Sequence, residues 1–235
     1  MKKAFVLLVV IIVFASCKTE SDFTKENIYP SPDIAIPYHS EWTKNYYPEK
    51  IKEFKASPLS FGDIVFIGNS ITEFGGDWGK RFDNPKIKNR GISGDVTEGV
   101  LNRLGEIYYY QPTAVFIKIG INDLFNDTLT SEYVGNNILK IVKNIQKHSP
   151  KTAIYVQTIL PTSTEKIVTK IQSTNTILKT NSGKYNYTLI DLHSVFADKN
   201  DLMIQQYTVD GVHLSEAGYM EWVNFIKAYL IDKKE

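Results

Sequence analysis

The sequence predicts an α/β protein built as a three-layer, doubly wound fold with a five-stranded parallel sheet. Three observations carry this expectation. From Asp63 onward, short apolar runs alternate with longer amphipathic ones, and such strand–helix alternation gives a parallel sheet covered on both faces. Residues 60–232 are enough for one domain with a sizeable core. No internal repeat and no low-complexity block interrupts the pattern.

The first residues read as a processing signal. Lys2 and Lys3 precede an apolar run over 4–15, which at about a dozen residues is too short to span a bilayer comfortably as a permanent helix. Ala15 and Ser16 then lead into Cys17, the one cysteine of the chain. The arrangement resembles a bacterial lipoprotein signal, with Phe14 where such signals usually carry an aliphatic residue. The resemblance implies a signal peptide over 1–16, cleavage before Cys17 and lipidation of Cys17. The alternative is an ordinary secretory signal with a chance cysteine. With Cys17 at the mature N-terminus, neither a free thiol nor a disulfide remains, as suits an exported protein that folds on core size alone. Lys18 after the cysteine implies outer-membrane delivery in a Gram-negative source, and Glu20 and Asp22 favour surface display over a periplasmic orientation. Removing Lys2 and Lys3 from 27 basic residues leaves 25 against 26 acidic ones. That near-neutral balance suggests no nucleic-acid partner.

Residues 17–38 are polar and carry three prolines, Pro30, Pro32 and Pro37, and read as a tether between lipid and domain. The domain is assigned to 39–235. Its opening segment, 39–55, is aromatic and charged (Trp42, Tyr46, Tyr47, Phe54) and reads as a helix packed on the domain edge. Strands are expected at 64–67, 87–89, 114–119, 153–158 and 188–192, and helices at 96–106, 131–147, 164–182 and 215–230. Ser215 suits the N-cap of the last helix, with acidic Glu216 in its first turn.

Four segments fall at strand ends or before the last helix: Gly68-Asn69-Ser70, Asn89-Arg90-Gly91-Ile92-Ser93-Gly94-Asp95, Gly120-Ile121-Asn122-Asp123 and Asp210-Gly211-Val212-His213. Active groups of an open α/β sheet collect at the carboxyl ends of strands. Nucleophilic ester chemistry needs a hydroxyl, a base within hydrogen-bond reach and a group that orients the base. Ser70, at the end of a buried strand, supplies the first, and the Asp-x-x-His spacing can supply the other two from one loop. A tetrahedral acyl intermediate also needs fixed donors aimed at its oxyanion, each worth roughly 3–4 kcal/mol.

The order and spacing of these four segments resemble the SGNH hydrolases, also called the GDSL esterase/lipase family, over about residues 62–230. The stretches 68–78 and 89–104 (NRGISGDVTEGVLNRL) are most similar to the bacterial branch of sialate O-acetylesterases and platelet-activating-factor acetylhydrolase-like proteins. The resemblance implies a flavodoxin-like sheet, with Ser70 as nucleophile, His213 as general base and Asp210 as its orienting acid. It implies an oxyanion hole from the Ser70 N–H, the Gly94 N–H and the Asn122 side chain. Gly94 suits this role because no side chain blocks the approach of backbone to substrate. The family usually carries aspartate before the serine, and this chain has Asn69; that aspartate is not the triad acid.

Each residue also has a plainer reading. Ser70 could be a turn or N-cap serine, and Asn122 and Asp123 could close an Asx turn. Asp123 and Gly91 are read that way, as turn and loop residues. His39, His148 and His193 have no aspartate three residues before them; His148 falls at an expected helix C-terminus, where it complements the dipole. No paired His/Asp/Glu spacing of the usual metal-binding kind is present, so no metal and no cofactor is implied.

The resemblance implies an exported carboxylic ester hydrolase, with acetylated carbohydrate, sialic acid included, as the leading substrate class. Its partners are then an acylated carbohydrate or other small ester, and the membrane through a lipid on Cys17. Trp78 either offers a flat face to a sugar or belongs to the core. A lysophospholipase or lipase of the same chemistry is one alternative, and a non-catalytic glycan-binding lipoprotein another. Intact Ser70, Asp210 and His213 argue against the last.

Overall fold

The computed structural model describes residues 23–231. Its centre is a five-stranded, all-parallel sheet in the order β2-β1-β3-β4-β5. The strands are β1 (Ile64–Gly68), β2 (Ile87–Gly91), β3 (Ala114–Lys118), β4 (Ala153–Gln157) and β5 (Thr188–Ile190). Register pairs Ile64 with Ile87 on one side and with Ala114 on the other. The three central strands are almost wholly buried, as expected of a parallel sheet covered on both faces.

Alternation along β1 sends Phe66 to one face and Ile67 to the other. Phe66 packs at a tilt on Phe116, and Phe116 stacks on Tyr155, with centroids 4.8 and 4.4 Å apart. This aromatic row packs under α3 (Trp78–Phe82), α10 (Glu216–Ile226) and α11 (Ala228–Ile231) through Trp78, Trp222 and Tyr229. On the opposite face Ile67 lines a small cavity together with Ile51 and Phe54 of α1 (Glu41–Ala56) and Ile107 of α5 (Gly105–Tyr110). There α7 (Ser131–His148) packs on α4 (Thr97–Asn102), α5 and α8 (Val168–Asn181). The result is the expected three-layer, doubly wound fold.

Several boundaries differ from the sequence reading, each for a local reason. The helix expected at 96–106 is two helices, α4 and α5, because the backbone leaves helical geometry at Arg103, with φ −121° and ψ 25°. The helix expected at 215–230 is likewise α10 followed by α11. Four short helices were not expected: α2 (Ser70–Glu73), α3, α6 (Ile121–Phe125) and α9 (His193–Phe196). At four or five residues each, they are too short to show a 3.6-residue period.

The tether expectation is corrected over the described residues 23–38. Ile28 and Ile36 are 3% and 4% exposed. The Tyr29 hydroxyl donates to Glu106 Oε1 at 3.0 Å, and Phe23 packs its ring on Tyr108 and His148. A few apolar anchors fix this proline-bearing segment as a strap. Ile36 joins Tyr47, Ile51 and Phe54 of α1, Ile92 of the second motif and Val96 just after it in a small second core. The expected signal peptide and Cys17 lie outside the described residues.

Candidate active site

β1 ends at Gly68, and the chain turns at once into α2. Gly68 has no room for a side chain: a Cβ there would fall 2.2 Å from the Lys118 carbonyl oxygen and 2.3 Å from Thr72 Oγ1. Asn69 caps α2 by accepting the Ile71 N–H at 3.1 Å, so the departure from aspartate keeps the cap. Its Nδ2, like Thr72 Oγ1, is buried without a hydrogen-bond partner among the described residues. This tight turn places Ser70 at the carboxyl edge of the sheet, 6% exposed.

Ser70 Oγ stands 2.9 Å from His213 Nε2, although 143 residues separate them in the chain. His213 Nδ1 stands 2.6 Å from Asp210 Oδ2, while Asp210 Oδ1 accepts the N–H groups of Val212 at 2.9 Å and His213 at 2.7 Å. Gly211 makes the turn at φ +89°, and the Thr208 hydroxyl donates to the His213 carbonyl at 2.7 Å. Burial alone would raise the Asp210 pKa, but the His213 ring and the two backbone donors outweigh it and hold the carboxyl at about 2. Asp210 is therefore an anion across the physiological range, and its fixed lone pairs set which ring nitrogen of His213 faces Ser70. Phe74, which ends α2, lies with its ring 5.2 Å from the imidazole and is 54% exposed.

The two other expected oxyanion donors meet at Asp95. Gly94 has φ +76°, and a Cβ there would fall 2.2 Å from Thr43 Oγ1 of α1, so helix and glycine loop are in close contact. Asn122, in the first turn of α6, donates through Nδ2 to the Asp95 carbonyl at 2.8 Å; an amide carries a second N–H on the same nitrogen. The Asp95 carboxylate is fully buried. Its Oδ1 lies 3.0 Å from His39 Nε2 and accepts the Val96 N–H, and its Oδ2 accepts Arg103 Nε at 3.0 Å. Arg103 also donates to the carbonyls of Arg90 at 2.8 Å and Gly68 at 2.9 Å. One buried ion pair thus ties together the serine turn, the glycine loop and the Asn122 turn.

Sequence reasoning did not single out His39, Asp95 or Arg103. The available signal was charge set among apolar neighbours, since charged residues are rarely buried unless paired. Glu73 was missed as well. Three residues after Ser70, it accepts the N–H and hydroxyl of Ser93, each at 2.6 Å, and the Tyr46 hydroxyl at 2.5 Å. Burial works against its charge, but these donors and Lys50 hold its pKa below the usual value.

Other readings are revised. Trp78 is fully buried, its indole N–H donating to the Thr72 carbonyl at 2.9 Å, and is core. Asp123 reaches beyond its own turn to accept the N–H and hydroxyl of Thr97 at the start of α4; burial nevertheless pushes its pKa up to about 6. Gly91 ends β2 against α2, where a Cβ would fall 2.2 Å from the Glu73 nitrogen, so it is a packing glycine. His148 ends α7, as expected. Half-buried His193 starts α9, its N–H donating to Thr158 Oγ1 at 2.8 Å.

The profile of the GDSL-like lipase/acylhydrolase family matches residues 66–220. Among solved structures, the chain is similar to a protein from Streptococcus pneumonia named for platelet activating factor, at 25% identity and TM-score 0.71, covering 80% of this chain and 94% of that one. It is similar to a GDSL-like lipase from Bacteroides thetaiotaomicron, at 23% identity and TM-score 0.70, covering 79% and 97%. It is also similar to a variant of an acetyl-xylooligosaccharide esterase from Geobacillus Stearmophilus, at 20% identity and TM-score 0.61, covering 74% and 95%. No curated protein sequence matches the chain.

Proposed function

We propose that this chain, which belongs to the GDSL-like lipase/acylhydrolase family, is an exported serine esterase that removes acetyl groups from carbohydrate. The observation that carries the reading is the contiguous line Asp210 Oδ2, His213 Nδ1, His213 Nε2, Ser70 Oγ, with steps of 2.6 and 2.9 Å. In this reading His213 takes the Ser70 proton as Oγ attacks the ester carbonyl, and Asp210 stabilises the imidazolium that forms. The carbonyl oxygen becomes an anion, received by the N–H groups of Ser70 and Gly94 and the Asn122 amide. His213 then passes its proton to the departing sugar oxygen. A water activated by the same imidazole releases acetate from the acyl-enzyme.

The short acyl group and the carbohydrate have a separate ground. It rests on the stretches 68–78 and 89–104 and on the name of the similar acetyl-xylooligosaccharide esterase. The test is hydrolysis of p-nitrophenyl acetate, butyrate and palmitate, followed by acetate release from acetylated sialic acids, xylan and pectin fragments. Acetate preference with turnover of a glycan ester supports the reading. Palmitate preference makes the protein a lipase, and no turnover makes it a binding protein. Ser70→Ala should lower the rate on the order of 10³-fold or more with the fold intact; activity within tenfold of wild type would remove Ser70 from its role.

The proposal includes a lipid on Cys17 and an outer-membrane location. Several acyl chains hold a protein firmly where one does not, and the lipoprotein signal that 1–17 resembles supplies more than one. Wild-type protein should fractionate with membranes, and Cys17→Ser should release it or leave it unprocessed. A wholly soluble wild-type protein lacking Cys17 at its N-terminus would leave plain secretion. Protease treatment of whole cells separates a surface-facing from a periplasmic domain.

A further inference from the structure

The exposed surface of α1 carries a feature that the ester chemistry does not use. Trp42 is 57% exposed and stacks on Tyr46, with centroids 4.5 Å apart and planes 23° apart. A single exposed aromatic means little. This one is held, because the Tyr46 hydroxyl is fixed on Glu73 at 2.5 Å and Glu73 is fixed on Ser93. Both ends of that chain belong to the reaction centre: Glu73 closes the four-residue helix that Ser70 opens, and Ser93 precedes Gly94. Thr43, the residue after Trp42, is the side chain that abuts Gly94. Trp42 therefore stands on a pre-set aromatic ledge beside the serine turn and the glycine loop. Exposed Phe74 stands on the next residue after Glu73, against His213.

We propose that the Trp42–Tyr46 pair is a stacking subsite for a sugar ring of the ester substrate. The inference rests on the carbohydrate-ester reading above and deepens it. The shape of the ledge selects the ligand class. A sugar ring has one flat C–H face that gains from an aromatic plane, and a rim of hydroxyls that is best left in water. A one-sided, open ledge satisfies both. An alkyl chain gains in proportion to the apolar area removed from water on all sides, which a ledge does not provide. Pre-organisation by Glu73 limits the ordering cost on binding.

The experiment compares wild type, Trp42→Ala and Trp42→Phe on two kinds of ester. On p-nitrophenyl acetate, which carries no sugar, all three should agree within twofold. On acetylated oligosaccharides from xylan and pectin, Trp42→Ala should lose about tenfold in kcat/KM, mostly through KM, and Trp42→Phe should recover most of the loss. Fluorescence gives a second readout. Trp78 and Trp222 are fully buried, so a change on adding unacetylated xylotetraose should be present in wild type and absent in Trp42→Ala. An equal loss on both kinds of ester would show a structural role and overturn the subsite. Unchanged activity of Trp42→Ala on a glycan ester that wild type hydrolyses would overturn the subsite alone. A loss confined to p-nitrophenyl palmitate would make the ledge an acyl site. Wild type that cleaves p-nitrophenyl acetate but no acetylated glycan would remove the carbohydrate reading and the subsite with it.

Discussion

Replacing Arg103 with methionine should destabilise the fold and slow ester hydrolysis together. Arg103 is nearly buried and makes three hydrogen bonds, to Asp95 Oδ2, the Arg90 carbonyl and the Gly68 carbonyl. Methionine fills much of the volume and supplies none of the donors. Asp95 then keeps His39 and the Val96 N–H but loses its fixed cation, with no exposed surface of its own. Breaking a buried pair by removing one partner costs about 3–5 kcal/mol. The two carbonyls add roughly 1 kcal/mol or more each if they stay dry; water entering the space offsets part of that. A net loss of about 3–5 kcal/mol corresponds to a fall in Tm of roughly 6–20 °C for a chain of this size. Adding Asp95→Asn to Arg103→Met should recover at least ~1 kcal/mol, because it removes the unmatched charge. Thermal and urea unfolding followed by circular dichroism measure the stability. Initial rates on p-nitrophenyl acetate, taken well below the lower Tm, measure the site. Since Arg103 spans the serine turn and the glycine loop, kcat should fall by about 10²-fold even in fully folded protein, as a 1 Å misplacement commonly does. A variant within ~1 kcal/mol and threefold of wild type would refute the idea that this ion pair assembles the site.

Further outcomes follow from the same geometry. Gly94→Ala should cost about 10²-fold or more in kcat, because its Cβ would overlap Thr43 Oγ1 and the φ of +76° is strained for alanine; Thr43→Gly added to it should recover part of the rate, and no recovery would show that the contact with α1 is unimportant. His213→Ala should lose more rate than Asp210→Asn; equal losses would contradict these roles. Burial pulls the Lys118 ammonium down to about 7, so between there and its unfolded value near 10.5 the unfolded chain binds the extra proton and stability rises with pH. Below pH 7 both states are protonated and the full penalty stands, so Lys118→Met should be more stable than wild type at pH 6. It should also lack a rise of roughly 1 kcal/mol per pH unit between pH 7 and 9.5 in urea unfolding. Identical pH profiles would show that Lys118 is not buried as a charge.

The strands and long helices were legible because each is written in its own residues. The run 64–68 is apolar throughout, and α7 alternates Val134, Ile138, Ile141, Val142 and Ile145 inward at helical spacing. The four motifs were legible as segments for the same reason, and their expected partners Ser70, His213 and Asp210 do come together. What was not legible depends on long-range pairing. His39 and Asp95 are 56 residues apart, and nothing local in either marks the other. Arg103 reads as one more polar position in a helix until its partners are placed. The strap was missed for another reason: averaged over 17–38 the segment is polar, yet two isoleucines, a tyrosine and Phe23 fasten it. Trp78 could not be decided from its distance to Ser70 along the chain, since a short helix turned it back under the sheet.

That fastening has a consequence for where the enzyme works. Phe23 packs on Tyr108, near the end of α5, and on His148, the last residue of α7. Both helices end a few residues before β3 and β4 begin, so the strap enters at the pole of the molecule opposite Ser70. From Cys17 to Phe23 the chain can reach at most about 20 Å, and a domain of this size is about 40 Å across. With lipid on Cys17, the leash is too short to swing the far pole down to the bilayer. The edge of the sheet that carries Ser70 would then face away from the bilayer.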